Sequence, residues 1–410
     1  MDSSPSSTRP TASGPLSGLL VVDLTRALAG PHATMMLGDL GARVVKVEAP
    51  GAGDDTRGWG PPFVRPEGDP PDDDTRREST YFLSANRNKE SVTLDLKAED
   101  DRNVLTDLVR RADVLVENFR TGVLDRLGLG FEALHDLNPR LVILSITGFG
   151  HDGPEGGRPG YDQIAQGEAG LMSLTGSGPD DPQKVGTPIS DVLAGMYGAY
   201  GLLAALLERE RTGKGQVVRT SLLAATVGVH AFQGTRWTVG GVVGRAQGNH
   251  HASIAPYGLF ACADGSVQIA VGSEGIWQRF GVAFGIDPAA PGFATNSARV
   301  ANRDRLIAAI EDAFSSWSAG DLLARLAEVG VPAGKVRTID EVYAWEQTRS
   351  QGLLVDVEHE TLGHLRLPGP PLRFFDTSGE ETTRSAHSAP PVLGADGAGV
   401  RRWLDDAVDE

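Results

Sequence analysis

From residue 18 to residue 150, short β-branched runs alternate with helical patterns, and nothing else restricts the fold so tightly. The runs are Leu19–Leu24, Val44–Val47, Ser91–Leu96, Val114–Val116 and Leu141–Ile146. Between the third and fourth, Leu105, Leu108, Val109 and Ala112 recur at helical spacing and mark one apolar face. Strands alternating with helices build βαβ units, hence an α/β fold with a parallel sheet covered by helices. Residues 51–80 break the alternation with Gly, Pro and acids, which predicts a mobile surface loop or lid.

Around this core the chain divides by composition. Residues 1–15 are rich in Ser, Thr and Pro without an apolar stretch, and read as a disordered tail rather than a signal peptide. A large α/β domain is expected over 16–215. Within it, Val192–Leu207 is an uncharged run of sixteen residues, continued through Glu208–Arg211 to Gly213. A membrane span needs about 20 apolar residues, so the run is expected to be a buried helix and no membrane is implied. Residues 216–249 read as a connector. A smaller α+β domain is expected over 250–345, where Tyr257–Cys262 and Ser266–Val271 flank the turn Ala263-Asp264-Gly265. Residues 346–410, with Pro368–Pro371 and Pro390-Pro391, read as an extended connector returning to the large domain.

Charge and motifs exclude several functions. Acids outnumber bases 54 to 38, giving a net charge of −16, so no nucleic-acid partner is expected. The single cysteine, Cys262, allows no internal disulfide and suits a reducing cytoplasm. Thr212-Gly213-Lys214 ends like a phosphate-binding loop, but Glu208 stands where its first glycine should be. His359 and His364 are five apart and do not share a helix face, so no metal site is expected. In an open α/β sheet, ligands bind beyond the carboxyl ends of the strands. There the sequence places Thr25 to Pro31, Lys46-Val47-Glu48, Asp95 to Lys97, Glu117 to Arg120 and Thr147-Gly148. An acidic chain that gathers Arg26, Lys46, Lys97 and Arg120 at one edge, with Arg126 behind, points to a polyanionic, nucleotide-like ligand.

Several segments together resemble the family III coenzyme A transferases. They are Asp23-Leu24-Thr25 through Gly30-Pro31, Leu40-Gly41-Ala42 to Lys46-Val47-Glu48, Asn88-Lys89-Glu90-Ser91, Val116 to Arg120, Arg158 to Asp162, and Thr212 to Gln216. The resemblance runs over about residues 16 to 395. It implies a large Rossmann-like domain and a smaller α+β domain, joined by long connectors in an interlaced homodimer. It implies a coenzyme A thioester as substrate, a carboxylic acid as acceptor and no resident cofactor. It places coenzyme A contacts on Arg26, Ala27, Ala29, Leu94, Lys97, Asn118, Phe119, Arg126 and Arg158. It sets Leu28, Tyr161 and Asp162 at the substrate, and makes Asp191 the nucleophile. Arg26 and Leu28 replace the His and Gln of formyl-CoA transferases, and the tetraglycine loop of those enzymes is absent, which turns the expectation away from formate and oxalate.

Asp191, at the mouth of the uncharged helix, is by itself either an N-cap or a reactive group; a coenzyme A site at the same edge favours the second. Its carboxylate can attack a thioester and pass through a mixed anhydride to an aspartyl thioester. A racemase of α-methylacyl-CoA is the rival within the family. It would need a second base where Tyr161 stands, and a phenol with a reference pKa near 10 is a poor one. A non-catalytic coenzyme A-binding protein is the other reading. Arg26 as partner of a second carboxylate suggests succinyl-CoA and a dicarboxylic acceptor.

Overall fold

The computed structural model describes residues 13–70, 74 and 76–406; most of the expected 1–15 tail lies outside them. The chain forms two units. One runs to Gly170, resumes over Gly186–Ala231 and again from Glu346; the other takes Leu171–Val185 and Phe232–Trp345.

The first unit is built on a six-stranded parallel sheet. Its strands are β1 (Leu20–Asp23), β2 (Arg43–Glu48), β3 (Lys89–Thr93), β4 (Val114–Glu117), β5 (Val142–Thr147) and β6 (Val217–Ser221), in the spatial order 3-2-1-4-5-6. That is the doubly wound order, in which the direction of winding reverses beside β1. Successive strand residues face opposite sides. Val22, Val45, Leu115 and Ile143 meet α3 (Glu99–Arg111), α5 (Phe131–Leu137) and the C-terminal α9 (Gly397–Asp406). Val21, Val44, Val116 and Leu144 meet α1 (Ala29–Asp39), α7 (Ile189–Thr212) and α8 (Leu222–Gly228). The short helices α2 (Thr80–Ser84), α4 (Val123–Arg126) and α6 (Asp162–Glu168) sit in the loops.

Several expectations change. Strand β3 begins at Lys89 instead of Ser91. Residues 217–228, expected as part of a connector, form the sixth strand and a helix of the sheet's own cover. Residues 346–406 carry the antiparallel pair Leu354–His359 and Gly363–Pro368 besides α9. The stretch from 51 to 80 is also pinned where it is described: Arg57 bonds Glu48 at 2.8 Å and the Pro391 carbonyl at 3.0 Å. The second unit has a three-stranded antiparallel sheet around the Tyr257–Cys262 and Gly265–Ala270 hairpin, with Trp277, Phe280, Ile310, Phe314 and Leu326 in its core.

Helix α7 is long and apolar enough to cross a membrane by length and composition, yet one face packs on the sheet, with Ala194, Gly198, Ala199 and Leu202 buried. The opposite face is not buried as expected: Met196, Tyr200, Leu203 and Leu207 are exposed, spaced as one helical stripe. Glycine brings α7 against α1. A Cβ on Gly195 would lie 2.6 Å from the Ala29 carbonyl oxygen, and one on Gly198 would lie 2.7 Å from a Leu144 methyl. Backbone cannot yield as a side chain can. Gly195→Ala is therefore expected to destabilise the first unit by about 1–3 kcal/mol, measured by urea unfolding; unchanged stability would show that the helix contact is looser than this.

Candidate active site

The loops beyond the sheet's carboxyl ends rest on buried ion pairs. Asp23, the last residue of β1, meets Lys89 Nζ at 3.0 Å, Lys46 meets Asp54 at 2.9 Å and Arg57 meets Glu48 at 2.8 Å. Burial alone would raise the Asp23 carboxyl, but Lys89, Lys46 and the Thr25 and Thr34 hydroxyls outweigh it and hold the group well below the usual range. Burial pushes Lys89 down to about 8 despite Asp23. Lys46 is held above its ordinary value: burial opposes the charge, and Asp23, Asp54 and Glu48 more than restore it.

Beside this network lies a cleft of about 320 Å³. It brings together five of the predicted residues: Arg26, Leu94, Lys97, Phe119 and Arg126. Arg26 follows β1, Leu94 and Lys97 follow β3, Phe119 follows β4 and Arg126 ends α4, as the doubly wound topology leads one to expect. Leu94, Leu96, Phe119 and Leu127 give the cleft an apolar wall for a flat ring, and the three cations give it a rim for phosphates. Asn118 does not line it. Its side chain clasps the neighbouring loop, accepting from the Arg26 N–H at 2.9 Å and donating to the Arg26 carbonyl at 2.7 Å.

Other expectations land elsewhere. Lys46 is wholly buried and bonded to Asp54 and the Thr25 carbonyl, so it cannot grip a ligand. Arg158 pairs with Glu155 and Glu168 and lies over the Phe149 ring, away from the cleft. Arg120 lines a neighbouring cleft of about 280 Å³ with His151 and Arg219. Arg26 lines the cleft and faces the exposed carboxylate of Asp55 at 3.5 Å.

Asp191 is the third residue of α7, and the helix cap position is Pro188, so the aspartate is not an N-cap. The capping role belongs to Asp162, the first residue of α6. Its Oδ1 accepts from the Ser190 N–H at 2.8 Å and its Oδ2 from Gln166 Nε2 at 2.7 Å. Burial first, and the Asp162 charge second, push the Asp191 carboxyl up to about 7, against the lowering a helix N-terminus would give. Gly195, one turn on from Asp191 on the same helix face, packs on the first residue of α1. Leu28 and Ala29 are buried where α1 starts. Tyr161 caps α6 and is 69% exposed.

Sequence reasoning missed Tyr81 and Trp59. The Tyr81 phenol is pushed up to about 12, by burial and then by the charges of Asp191, Asp162 and Asp54. Trp59 packs edge-on against it, 5.1 Å between ring centroids. Their only signal was two aromatics in a polar loop. No group of three or more metal-ligating side chains occurs among the described residues.

The profile of CoA-transferase family III matches residues 16–397. A succinyl-CoA:glutarate CoA-transferase of Mus musculus is 37% identical over 387 residues, 93% of this chain and 84% of that protein. An acetyl-CoA:oxalate CoA-transferase of Acetobacter aceti is 38% identical over 392 residues, 95% of each. The crystal structure of a CAIB/BAIF family protein from Brucella suis, 41% identical, superposes with a TM-score of 0.82 over 96% of this chain and 100% of that one.

Lys97 and Arg126 make no ion pair among the described residues and are free for an anion. Lys97→Ala and Arg126→Ala should each weaken coenzyme A binding about tenfold, as loss of a charge-assisted contact does. Calorimetric titration reads this directly; unchanged affinity in both would place the nucleotide elsewhere.

Proposed function

The chain belongs to CoA-transferase family III, and from that premise we propose that it passes coenzyme A from succinyl-CoA to a dicarboxylic acid, with Asp191 as covalent carrier. One observation carries the reading: a poorly solvated carboxylate, pushed up to about 7, stands one helical turn from the contact between α7 and the coenzyme A loop. Desolvation makes that carboxylate more basic, and a more basic carboxylate is a better nucleophile.

The Asp191 carboxylate attacks the thioester carbonyl carbon, the C–S bond breaks, and an acyl–aspartyl anhydride and coenzyme A thiolate result. The thiolate attacks the aspartyl carbonyl, releasing the donor acid and leaving an aspartyl thioester. The acceptor carboxylate displaces the thiolate to form a second anhydride. The thiolate then attacks the acceptor's acyl carbon, giving the new thioester and free Asp191. Every step exchanges one activated acyl group for another, so the sequence balances without ATP. Both anhydrides are water-sensitive, and the burial that raises the Asp191 carboxyl also limits the access of water to it.

Both curated relatives described above take a dicarboxylate as acceptor, glutarate in one and oxalate in the other, which supports this acceptor class and returns oxalate to it. The exposed stripe Met196, Tyr200, Leu203 and Leu207 supports a homodimer. Sedimentation at low concentration is expected to give about twice 43.3 kDa; a stable active monomer would contradict it.

Asp191→Asn keeps the volume and removes the attacking charge. Transfer from succinyl-CoA to a panel of dicarboxylates should fall at least about 10³-fold while coenzyme A still binds. In the wild type only the ionised carboxylate reacts. Because its pKa is raised to about 7, kcat/KM for the donor should climb about tenfold per pH unit below 7 and flatten above about 8. An active Asn variant, or a rate independent of pH from 5 to 8, would defeat the assignment.

A further inference from the structure

The loop between β1 and α1 has a shape its own sequence does not favour. Ala27 sits at φ = +65°, the left-handed region that an L side chain rarely adopts, and its neighbours are Arg26 and Leu28 rather than glycines. What holds it comes from a distant part of the chain. The Ala27 N–H donates to Asp54 Oδ1 at 3.1 Å. That same oxygen accepts from the Thr56 N–H at 3.0 Å and the Thr56 hydroxyl at 2.8 Å, and the Asp54 N–H is itself bonded to Glu48. The other carboxylate oxygen meets Lys46 Nζ at 2.9 Å, with both side chains fully buried. Lys46 also donates to the Thr25 carbonyl at 2.8 Å, two residues before Ala27.

Lys46 is thus fastened to both ends of one short path, the loop itself and the carboxylate that grips it. Water cannot substitute at so closed a site. The residue on one side of Ala27 is Arg26, which lines the nucleotide cleft; two residues on, α1 begins. We propose that Asp54 is a positioning residue for coenzyme A binding: anchored by Lys46, it holds Ala27 in the left-handed conformation and so sets Arg26 and the start of α1 toward the ligand. This rests on the coenzyme A reading of the cleft. Asp54 is itself among the residues lining the cleft, but its side chain is fully buried in the pair with Lys46 and a carboxylate does not attract phosphates, so its part is to hold the loop.

A merely structural ion pair would give a different signature. Its loss would lower stability and leave affinity in the folded protein alone. A positioning role predicts that glycine at position 27, which adopts positive φ without cost, relieves the need for Asp54. The test is calorimetric titration of coenzyme A into the full chain, with folding followed by circular dichroism. Asp54→Ala is expected to weaken binding at least tenfold. The double variant Ala27→Gly/Asp54→Ala should recover at least a third of that tenfold loss. Ala27→Val leaves the Lys46–Asp54 pair intact but places a β-branched residue at φ = +65°, and should alone weaken binding at least tenfold; it decides the matter if Asp54→Ala does not fold. Wild-type affinity in folded Asp54→Ala, an equal loss in the double variant, or wild-type affinity in Ala27→Val would overturn the inference. A wild-type protein that binds no coenzyme A would instead overturn the reading of the cleft, and this inference with it.

Discussion

Six charges buried beneath the carboxyl ends of β1 and β2 set the shape of everything above them. Asp23 with Lys89, Lys46 with Asp54 and Glu48 with Arg57 form three pairs at 2.8–3.0 Å. Taking such ions out of water costs several kcal/mol each, and removing one partner typically costs about 3–5 kcal/mol because the other is left uncompensated. The set is balanced, three cations against three anions, and each side chain has further hydrogen bonds: Lys89 to Asn86 and the Pro31 carbonyl, Glu48 to Ser91, Asp23 to Thr34. Uniform apolar packing would be cheaper, but it would not fix where the loop from Thr25 to Pro31 goes. Ion pairs with directed bonds do.

The carboxylate proposed to react obeys the opposite rule. Burial raises the Asp191 carboxyl, and the neighbouring charge that acts on it is another carboxylate, Asp162. Because Asp162 takes the Ser190 N–H at the start of α7, that amide is not free to stabilise Asp191. The carboxylate is left basic at the head of a helix whose dipole would otherwise quiet it. The same fold therefore compensates charge beneath the loop proposed to hold coenzyme A and withholds it from the proposed nucleophile.

Much of this was legible in the sequence, for identifiable reasons. The β-branched runs marked the first five strands because a parallel sheet is apolar on both faces. The sixth, Val217–Ser221, was missed because Arg219, Thr220 and Ser221 make an edge strand too polar to read as a run. Lys46 was mistaken for a ligand contact. On a strand buried on both sides a lysine must find its partner inside, and that partner, Asp54, lies in a stretch that looked like loop. Asp191 was placed by family likeness rather than by helix chemistry: cap and third position differ by a few residues, and no local rule separates them. Tyr81 became visible only through the folded structure, where burial and the charges of Asp191, Asp162 and Asp54 raise its phenol.

The central claim is that an acyl group passes through Asp191. Mixing the wild-type protein with succinyl-CoA, quenching in acid and mapping peptides by mass tests it most directly. The peptide containing Asp191 should carry a coenzyme A thioester adduct, and hydroxylamine should convert it to the hydroxamate at that residue. An adduct on any other residue, or turnover to a dicarboxylate acceptor with no adduct under rapid quench, would contradict the account.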